Sequence, residues 1–425
     1  MPASVFGFFR LSAFQFQLSK GHGLYSGFEI APLCRRELAG FGRTSTVWTP
    51  ELIGLQMRVL IIHPESEYFA GAETMLGYFL TELARTDCKV AVAAVRKSRV
   101  AGLLPAQTIP VWLEPCPAFS PFTIWRQAKS LKALRAEFDF DLVHGWAARD
   151  WELSAFIGWL SRRPAIGTLH DHPEASFIRR KRRRLMRWCA RFGLKRIVCV
   201  SGAVRDACAD AGYPASKLQV VRNGLPSVNL GIKLRAPGPF RIGFLGMFSE
   251  RKGLRTLFQI ADALPTDTAP WELLIAGGAS DKAGKMLADD IQRGYGTRPW
   301  WSRVRWLGWV ESPQNFLRSV DLLLLPSSEF DPFPTVLLEA GQSGVPVLAS
   351  RVGGVAEIIL ENKTGWLFEP GRFEDAAKIL QGLIASPKEL QGVGNMAHQR
   401  VLCEFCASKM VAQYQLLYSN LLAHV

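Results

Sequence analysis

Two successive sets of six short apolar segments constrain this chain more than any other feature in it. The first set reads RVLIIH, VAVAAV, DLVHGW, AIGTLH, RIVCVS and QVVRNG; the second reads RIGFLG, ELLIAG, VRWLGW, DLLLLP, VPVLAS and GWLFEP. Most are continuous apolar runs, not alternations of apolar and polar residues. A strand that is apolar on both faces has to be covered on both faces, the condition of a parallel strand in an α/β sheet. Helical patterns lie between the runs, so two sets in a row predict two doubly wound, Rossmann-like α/β domains facing across a cleft. The break falls at KLRAPGPF, 233–240. A first domain is therefore expected over 57–232, a second over 233–410 and a C-terminal helix over 411–425. Residues 1–56 do not fit: they are rich in Phe, Gly and Ser and carry no strand or helix repeat. Met57 opens the first strand abruptly and reads as the natural start, with 1–56 an upstream translation artefact or a poorly ordered extension.

Composition narrows the class. With 425 residues, 48% hydrophobic and 21% charged, the chain suits a globular protein of about two to three domains. Its longest aliphatic runs, such as LLLL at 322–325, fall far short of the ~18–20 residues of a membrane span. No basic start, apolar core and small-residue cleavage site marks a signal peptide. Eight scattered cysteines fit the reduced thiols of a cytoplasmic protein, and CEFC at 403–406 lacks the second pair of a zinc set, so its thiols read as buried or incidental.

The net charge of +14 is uneven. Residues 175–205 hold eleven Lys or Arg and no acid, and Ile178, Leu185, Cys189 and Phe192 fall at helical spacing on one stripe. A basic amphipathic helix is either a membrane-surface element, here with Arg179, Arg180, Lys181 and Arg182 as docking cations, or a solvated face. Nothing in the chain reads as a helix-turn-helix or an aromatic–basic nucleic-acid motif, so no nucleic-acid partner is expected.

In doubly wound sheets, ligands sit in the crevice beyond the carboxyl ends of the strands, and the unusual residues lie there. In FLGMFSERKGLRTL, Gly246 ends a strand and Arg251 and Lys252 stand just before the helix opened by Gly253. Two cations beside free helix N–H groups form a site suited to a diphosphate, or are two solvated loop cations. Asp331 follows the strand DLLLLP, and Glu339 interrupts the apolar run TVLLEA of the next helix. A carboxylate in such a run is costly unless solvated or held for a ligand. Thr335, Glu339, Gln342 and Ser343 share one face, which is either wet or turned to the crevice. There an ionised Glu accepts both hydroxyls of a ribose, with Asp331 reaching sugar hydroxyls nearby. VGG at 352–354 allows close backbone approach. In the first set, Gly71 is placed for a close turn after strand one, and Glu73 lies in the first turn of the following helix. His170 ends its strand in TLHDH, placed to donate to a hydroxyl or a phosphate oxygen; His144 reads as structural. DFD at 139–141 precedes a strand and reads as a strand-entry feature. The two histidines of HDH at 170–172 diverge and lack a third ligand, and no P-loop or GxGxxG fingerprint is present.

From Met57 to about residue 410 the chain resembles the retaining, nucleotide-sugar-dependent glycosyltransferases of family 4, which have the GT-B fold. The resemblance rests on AGAE at 70–73, DLVH at 141–144, TLHD at 168–171, VVRNG at 220–224, RKG at 251–253, DPFPTVLLEA at 331–340 and VGGVAEIILENKTGWL at 352–367, in that order. It implies that Glu339 holds the donor ribose and that Asp331 contacts the transferred sugar. Arg251 and Lys252 would neutralise the diphosphate, Gly71 would lie beside it, and His170 would stand near the sugar. It also implies no metal or other cofactor, a nucleotide-diphosphate sugar as donor, and transfer with retention. The acceptor would be a saccharide or its lipid-linked precursor, which fits a cytoplasmic enzyme peripheral on the inner face of the membrane. Three positions depart from the family: Asp331 stands where Glu is usual, with Glu329 as a neighbour, Met247 replaces a phosphate-binding Arg, and AGAE replaces a double glycine. A sugar-nucleotide epimerase of the same fold and a non-catalytic sugar-nucleotide-binding scaffold are the alternatives.

Overall fold

A computed structural model describes residues 56–423 except 66–70, 115–120, 134–136, 177, 229, 231–232 and 266–268. The extension expected over 1–56, but for Gln56, lies outside the described residues. In the first half, strands β1 (Arg58–Ile62), β2 (Lys89–Val95), β3 (Ile109–Leu113), β4 (Leu142–Gly145), β5 (Ala165–Leu169), β6 (Arg196–Cys199) and β7 (Leu218–Val220) form one sheet. Its helices are α1 (Gly71–Leu83), α2 (Pro121–Ala133), α3 (Trp151–Ser161), α4 (Arg180–Trp188) and α5 (Gly202–Asp210). The second half adds β8 (Phe240–Met247), β9 (Trp271–Gly278), β10 (Val304–Gly308), β11 (Leu322–Leu325), β12 (Val347–Ser350) and β13 (Gly365–Phe368). Its helices are α6 (Leu254–Asp262), α7 (Lys282–Tyr295), α8 (Pro313–Ser319), α9 (Thr335–Gln342), α10 (Val355–Ile358), α11 (Phe373–Ala385) and α12 (Leu390–Glu404). A last helix, α13 (Ala407–Leu422), closes the chain.

Both sheets are parallel, in the orders β3-β2-β1-β4-β5-β6-β7 and β10-β9-β8-β11-β12-β13. The two doubly wound domains expected from the apolar runs are there. Strand order reverses between β1 and β4 and between β8 and β11, and those switch points are where the crevice of each sheet opens. Inner strands such as β4, β5, β11 and β12 are buried along their whole length. The edge strand β10 is different: Arg305 to Gly308 are exposed, since a sheet edge has only one neighbour to cover it.

The DFD segment anchors this arrangement from the opposite end. Asp141 accepts from the Arg58 backbone N at 3.0 Å and from its guanidinium at 2.9 Å, and Asp139 pairs with Arg58 and Arg163. Both acids thus pin the starts of β1 and β4, away from the crevice.

The closing helix begins at Ala407, four residues earlier than the sequence suggested, and turns to the first half. It packs on α1 of the first. There Tyr418 Oη lies 2.8 Å from His144 Nδ1, His144 Nε2 lies 2.8 Å from Thr168 Oγ1, and Thr168 Oγ1 lies 3.1 Å from Tyr414 Oη. His144 is fully buried in this network, and burial lowers it to about 3, so it is neutral and structural.

Candidate active site

The crevice has one wall from each half. On the first wall, β1 is followed by His63, which is fully buried between two acids. His63 Nδ1 is 2.8 Å from Asp150 Oδ2, ahead of α3, and Nε2 is 3.2 Å from Glu73 Oε1 in the first turn of α1. Burial pulls the imidazole down, but Asp150 and Glu73 outweigh it and hold His63 up at about 9. The result is a buried cation between two carboxylates that ties α1 and the β4–α3 connection to the end of β1.

Beyond it stands His170, at the end of β5, its ring 5.2 Å from that of Trp146. Burial lowers His170 to about 4, so the ring is neutral at pH 7. Its Nε2 is buried and has no partner among the described residues, an arrangement that native structures reserve for a ligand or an ordered water. His172 turns the other way, its ring 4.8 Å from Phe330 of the second half, so the two histidines of HDH diverge as expected. Between them Asp171 keeps contact with solvent yet is raised above the usual carboxylate range, because the two walls desolvate it while Arg251 and Arg149 pull the other way.

The second wall begins at the RKG turn. Gly253 has φ +74°, and a Cβ there would sit 1.7 Å from Pro326 O, the residue after β11. Only glycine folds into that position, and so the two preceding cations are carried to the end of β11. Lys252 Nζ donates to Asp331 Oδ2 at 2.7 Å, and Ser327 Oγ donates to the same oxygen at 3.3 Å. Asp331 is buried, and the structure makes it the residue that holds Lys252 in place. Arg251 is half-buried beside Asp171. Gly353, at φ +52°, brings the 352–354 turn against the Asp331 carbonyl, and Gly354 N donates to that oxygen at 2.9 Å.

Glu339 answers the question posed by its apolar run. Its face of α9 is not wet: Gln342 and Ser343 are buried, and Gln342 Nε2 donates to Pro226 O at 2.6 Å. Glu339 itself is half-buried. Burial raises its carboxyl to about 7, and among the described residues the side chain has no hydrogen-bond partner.

Gly71 and Thr335 are the first residues of α1 and α9, and a Cβ on Gly71 would lie 4.0 Å from Thr335 Oγ1. Two helix N-termini, one from each half, therefore meet across the crevice. Gly71 is exposed, and the close turn expected before it runs through residues 66–70, outside the described residues. Two helix N-termini beside Arg251 and Lys252 offer free N–H donors and cations to a multiply charged anion.

Gly246 does not end its strand, which continues through Met247; it lies in the β8–β9 ladder opposite Gly277. Trp309, just past β10, is 72% exposed. It leans over the end of β9, where a Cβ on Gly278 would lie 2.6 Å from its Nε1. Sequence reasoning placed Trp309 within an apolar strand and missed it; the only local signal was the glycine before it.

Comparison with known proteins adds the following. A model described as "Glycosyltransferase Family 4" matches residues 69–227, and one described as "Glycosyl transferases group 1" matches 231–400. The lipopolysaccharide core biosynthesis glycosyltransferase LpsE of Rhizobium meliloti is 26% identical over 230 residues, 53% of this chain and 64% of its own length. The amylovoran biosynthesis glycosyltransferase AmsK of Erwinia amylovora is 28% identical over 207 residues, 46% of this chain and 48% of its own length. The matches thus span less than two thirds of these relatives. In fold, the chain is similar to Anabaena HepE, solved in complex with UDP and glucose, with a TM-score of 0.73 and 20% identity. That likeness covers 86% of this chain and 100% of HepE.

Proposed function

The chain belongs to the family 4-like glycosyltransferases of GT-B fold, and from that premise we propose that it moves a sugar from a nucleotide-diphosphate donor to a hydroxyl acceptor with retention, in polysaccharide or glycolipid biosynthesis. The observation that carries the reading is the meeting of the α1 and α9 N-termini beside Arg251 and Lys252. A diphosphate there has two helix dipoles and two cations around it. Charge that develops on the departing diphosphate is then stabilised by groups already in place, the arrangement that lowers a barrier most.

Each nearby group has a part. Asp331 and Ser327 hold Lys252 to its position. Glu339, with no hydrogen-bond partner among the described residues, accepts from the two ribose hydroxyls. Trp309 offers a flat surface on which the nucleobase stacks. Neutral His170, whose other ring nitrogen donates to the Trp146 backbone, accepts at its buried Nε2 from a hydroxyl of the transferred sugar. In the transfer the acceptor oxygen attacks the anomeric carbon on the face the diphosphate leaves, and its proton passes to the departing phosphate oxygen. Arg251 and Lys252 supply the positive charge, so the proposal needs no metal ion or other cofactor.

The acceptor reading, a saccharide or its lipid-linked precursor, is supported by what the relatives' names say of those proteins. No helix among the described residues is long and apolar enough to cross a membrane, so a lipid-linked acceptor would be met at the surface.

Thermal shift of the full chain against UDP, GDP, ADP and their common sugars tests the donor. A ligand at 100 times its Kd should stabilise by about 2.7 kcal/mol. A selective shift for one nucleotide, lost in Glu339→Gln, supports the reading. No shift with any of them sinks it. Turnover that needs no acceptor and releases an altered free sugar would favour the epimerase, and donor binding without any turnover would favour the scaffold.

A further inference from the structure

A second functional surface lies on the first half, where α3 and α4 run side by side. After Trp188 the helix widens into a single π-turn over Cys189–Gly193. Three large rings stand out from this region: Trp159 is 72% exposed, Trp188 58% and Phe192 67%. They are neighbours. The Trp188 and Phe192 rings are 5.8 Å apart. Gly193 is pressed so closely to α3 that a Cβ on it would lie 2.5 Å from the Ala155 Cβ, and Trp159 is one turn further along that same face. The stripe expected from the sequence is thereby corrected: Cys189 is buried, but Phe192 points to solvent.

Cations surround the rings. Arg179, Arg180, Lys181, Arg184, Arg191 and Lys195 are all exposed, and the Arg191 guanidinium is 5.8 Å from the Phe192 ring centre. Arg182 is not one of them. It turns inward to donate to Ala148 O at 2.7 Å and to pair with buried Glu152. Of the four cations expected to dock, Arg182 belongs to the fold.

Single exposed aromatics are ordinary, but three grouped at the ends of adjoining helices and ringed by cations mark an interaction site. The absence of any acid between 175 and 205 restricts the partner to an anionic one. Large amphipathic rings flanked by Lys and Arg suit the headgroup layer of a bilayer, where the rings sit at the water boundary and the cations meet lipid phosphates. We propose that this face docks the chain on an anionic lipid bilayer, with Trp159, Trp188 and Phe192 inserted at headgroup depth and Arg180, Lys181, Arg184 and Arg191 on the phosphates.

The placement also orients the crevice. The start of α4 is tied by Arg182 to the carboxyl end of β4, and its end leads back to the start of β6, so the helix spans about 12 Å from the crevice rim to the opposite side of the sheet. Lying flat, it holds the crevice mouth beside the bilayer, within reach of a lipid-linked acceptor. Docking itself does not depend on the transferase reading.

Sedimentation of the full chain with vesicles tests the proposal. Binding is expected to phosphatidylglycerol–phosphatidylcholine vesicles and not to phosphatidylcholine alone, and to weaken with salt. Reversing three cations (Arg180→Glu, Lys181→Glu, Arg184→Glu) should lower it about a hundredfold. Replacing two rings (Trp188→Ser, Phe192→Ser) should lower it severalfold at any salt concentration. These are surface positions, so unchanged melting temperatures serve as the folding check, and the nucleotide thermal shift on the same samples reports separately on the donor site. Equal binding to neutral and anionic vesicles overturns the proposal. So does a ring variant that binds as the parent does, or an RNA oligonucleotide that displaces the vesicles.

Discussion

At the scale of single residues, Glu339 is the most informative. Burial raises it from 4.5 to about 7, and the sign of the consequence is definite. An acid raised in the folded state favours folding while protonated, so its contribution is present at low pH and is lost as pH climbs from 4.5 through about 7. At pH 8 the folded protein carries an ionised carboxylate that the unfolded chain would solvate better. Glu339→Gln removes that penalty, so the variant should be more stable than the parent at pH 8, by on the order of 1–3 kcal/mol, and no more stable at pH 4.5. The same variant should lose the nucleotide-induced shift. Urea midpoints at the two pH values check the first half, and a variant that gains nothing at pH 8 would mean the carboxylate has a partner in solution. Glu339, Asp331, Arg251, Lys252 and His170 were legible because each residue type is out of keeping with its apolar or strand-end surroundings. The His63–Glu73–Asp150 triad was not: its members lie 10 and 87 residues apart, and no local pattern links them. Nor was the turn of Asp331 toward Lys252, 79 residues away.

At the scale of elements, most strands were legible because four consecutive apolar residues have few other places to go, whereas the edge strand β3, IPVWL with a Pro inside it, and the path of the last helix were not. The sequence on both sides of the kink is helix-forming and free of Pro. What breaks it at Phe405–Cys406 is the chain crossing there: Leu225 N donates to Phe405 O at 2.8 Å, and Ala407 N donates to Leu225 O at 2.7 Å. The kink leaves Cys406 half-buried and Cys403 exposed, so the CEFC thiols are not both buried. From the crossing, α13 returns to the first half and satisfies His144. Tyr418→Phe keeps the ring but leaves His144 Nδ1 buried without a partner, a loss of about 1–3 kcal/mol. Calorimetric melting should show it. Nucleotide affinity should be unchanged, because His144 lies behind the crevice wall; a large fall in affinity would mean that α13 positions the site as well as the fold.

At the scale of the whole molecule, the chain crosses twice between the two halves. The chain passes between them near Gly224–Leu225 and again at Phe405–Ala407, and a Cβ on Gly224 would lie 2.4 Å from Cys406 O, so the two crossings are in contact. Such a pair of strands resists separation but offers little resistance to rotation. Contacts away from the crossings oppose that rotation, and one of them is polar and specific. Glu357, in α10, accepts from Ala203 N at the start of α5 at 2.9 Å and from Arg222 Nε at 2.9 Å. Arg222 is largely solvated, so its share is small, but a carboxylate on a helix N-terminus contributes about 0.3–1 kcal/mol. A contact of that size cannot fix the angle between the halves. It is large enough to bias a two-state opening, because binding is weakened by whatever fraction of molecules is not closed. Glu357→Ala should therefore leave melting nearly unchanged while raising the nucleotide Kd severalfold, and small-angle scattering should show a larger radius of gyration without nucleotide that returns to the parent value when nucleotide is added. If scattering and affinity both match the parent, the paired crossings alone set the angle and Glu357 is an ordinary surface contact. If melting falls along with affinity, the halves depend on each other for folding and do not open as rigid bodies.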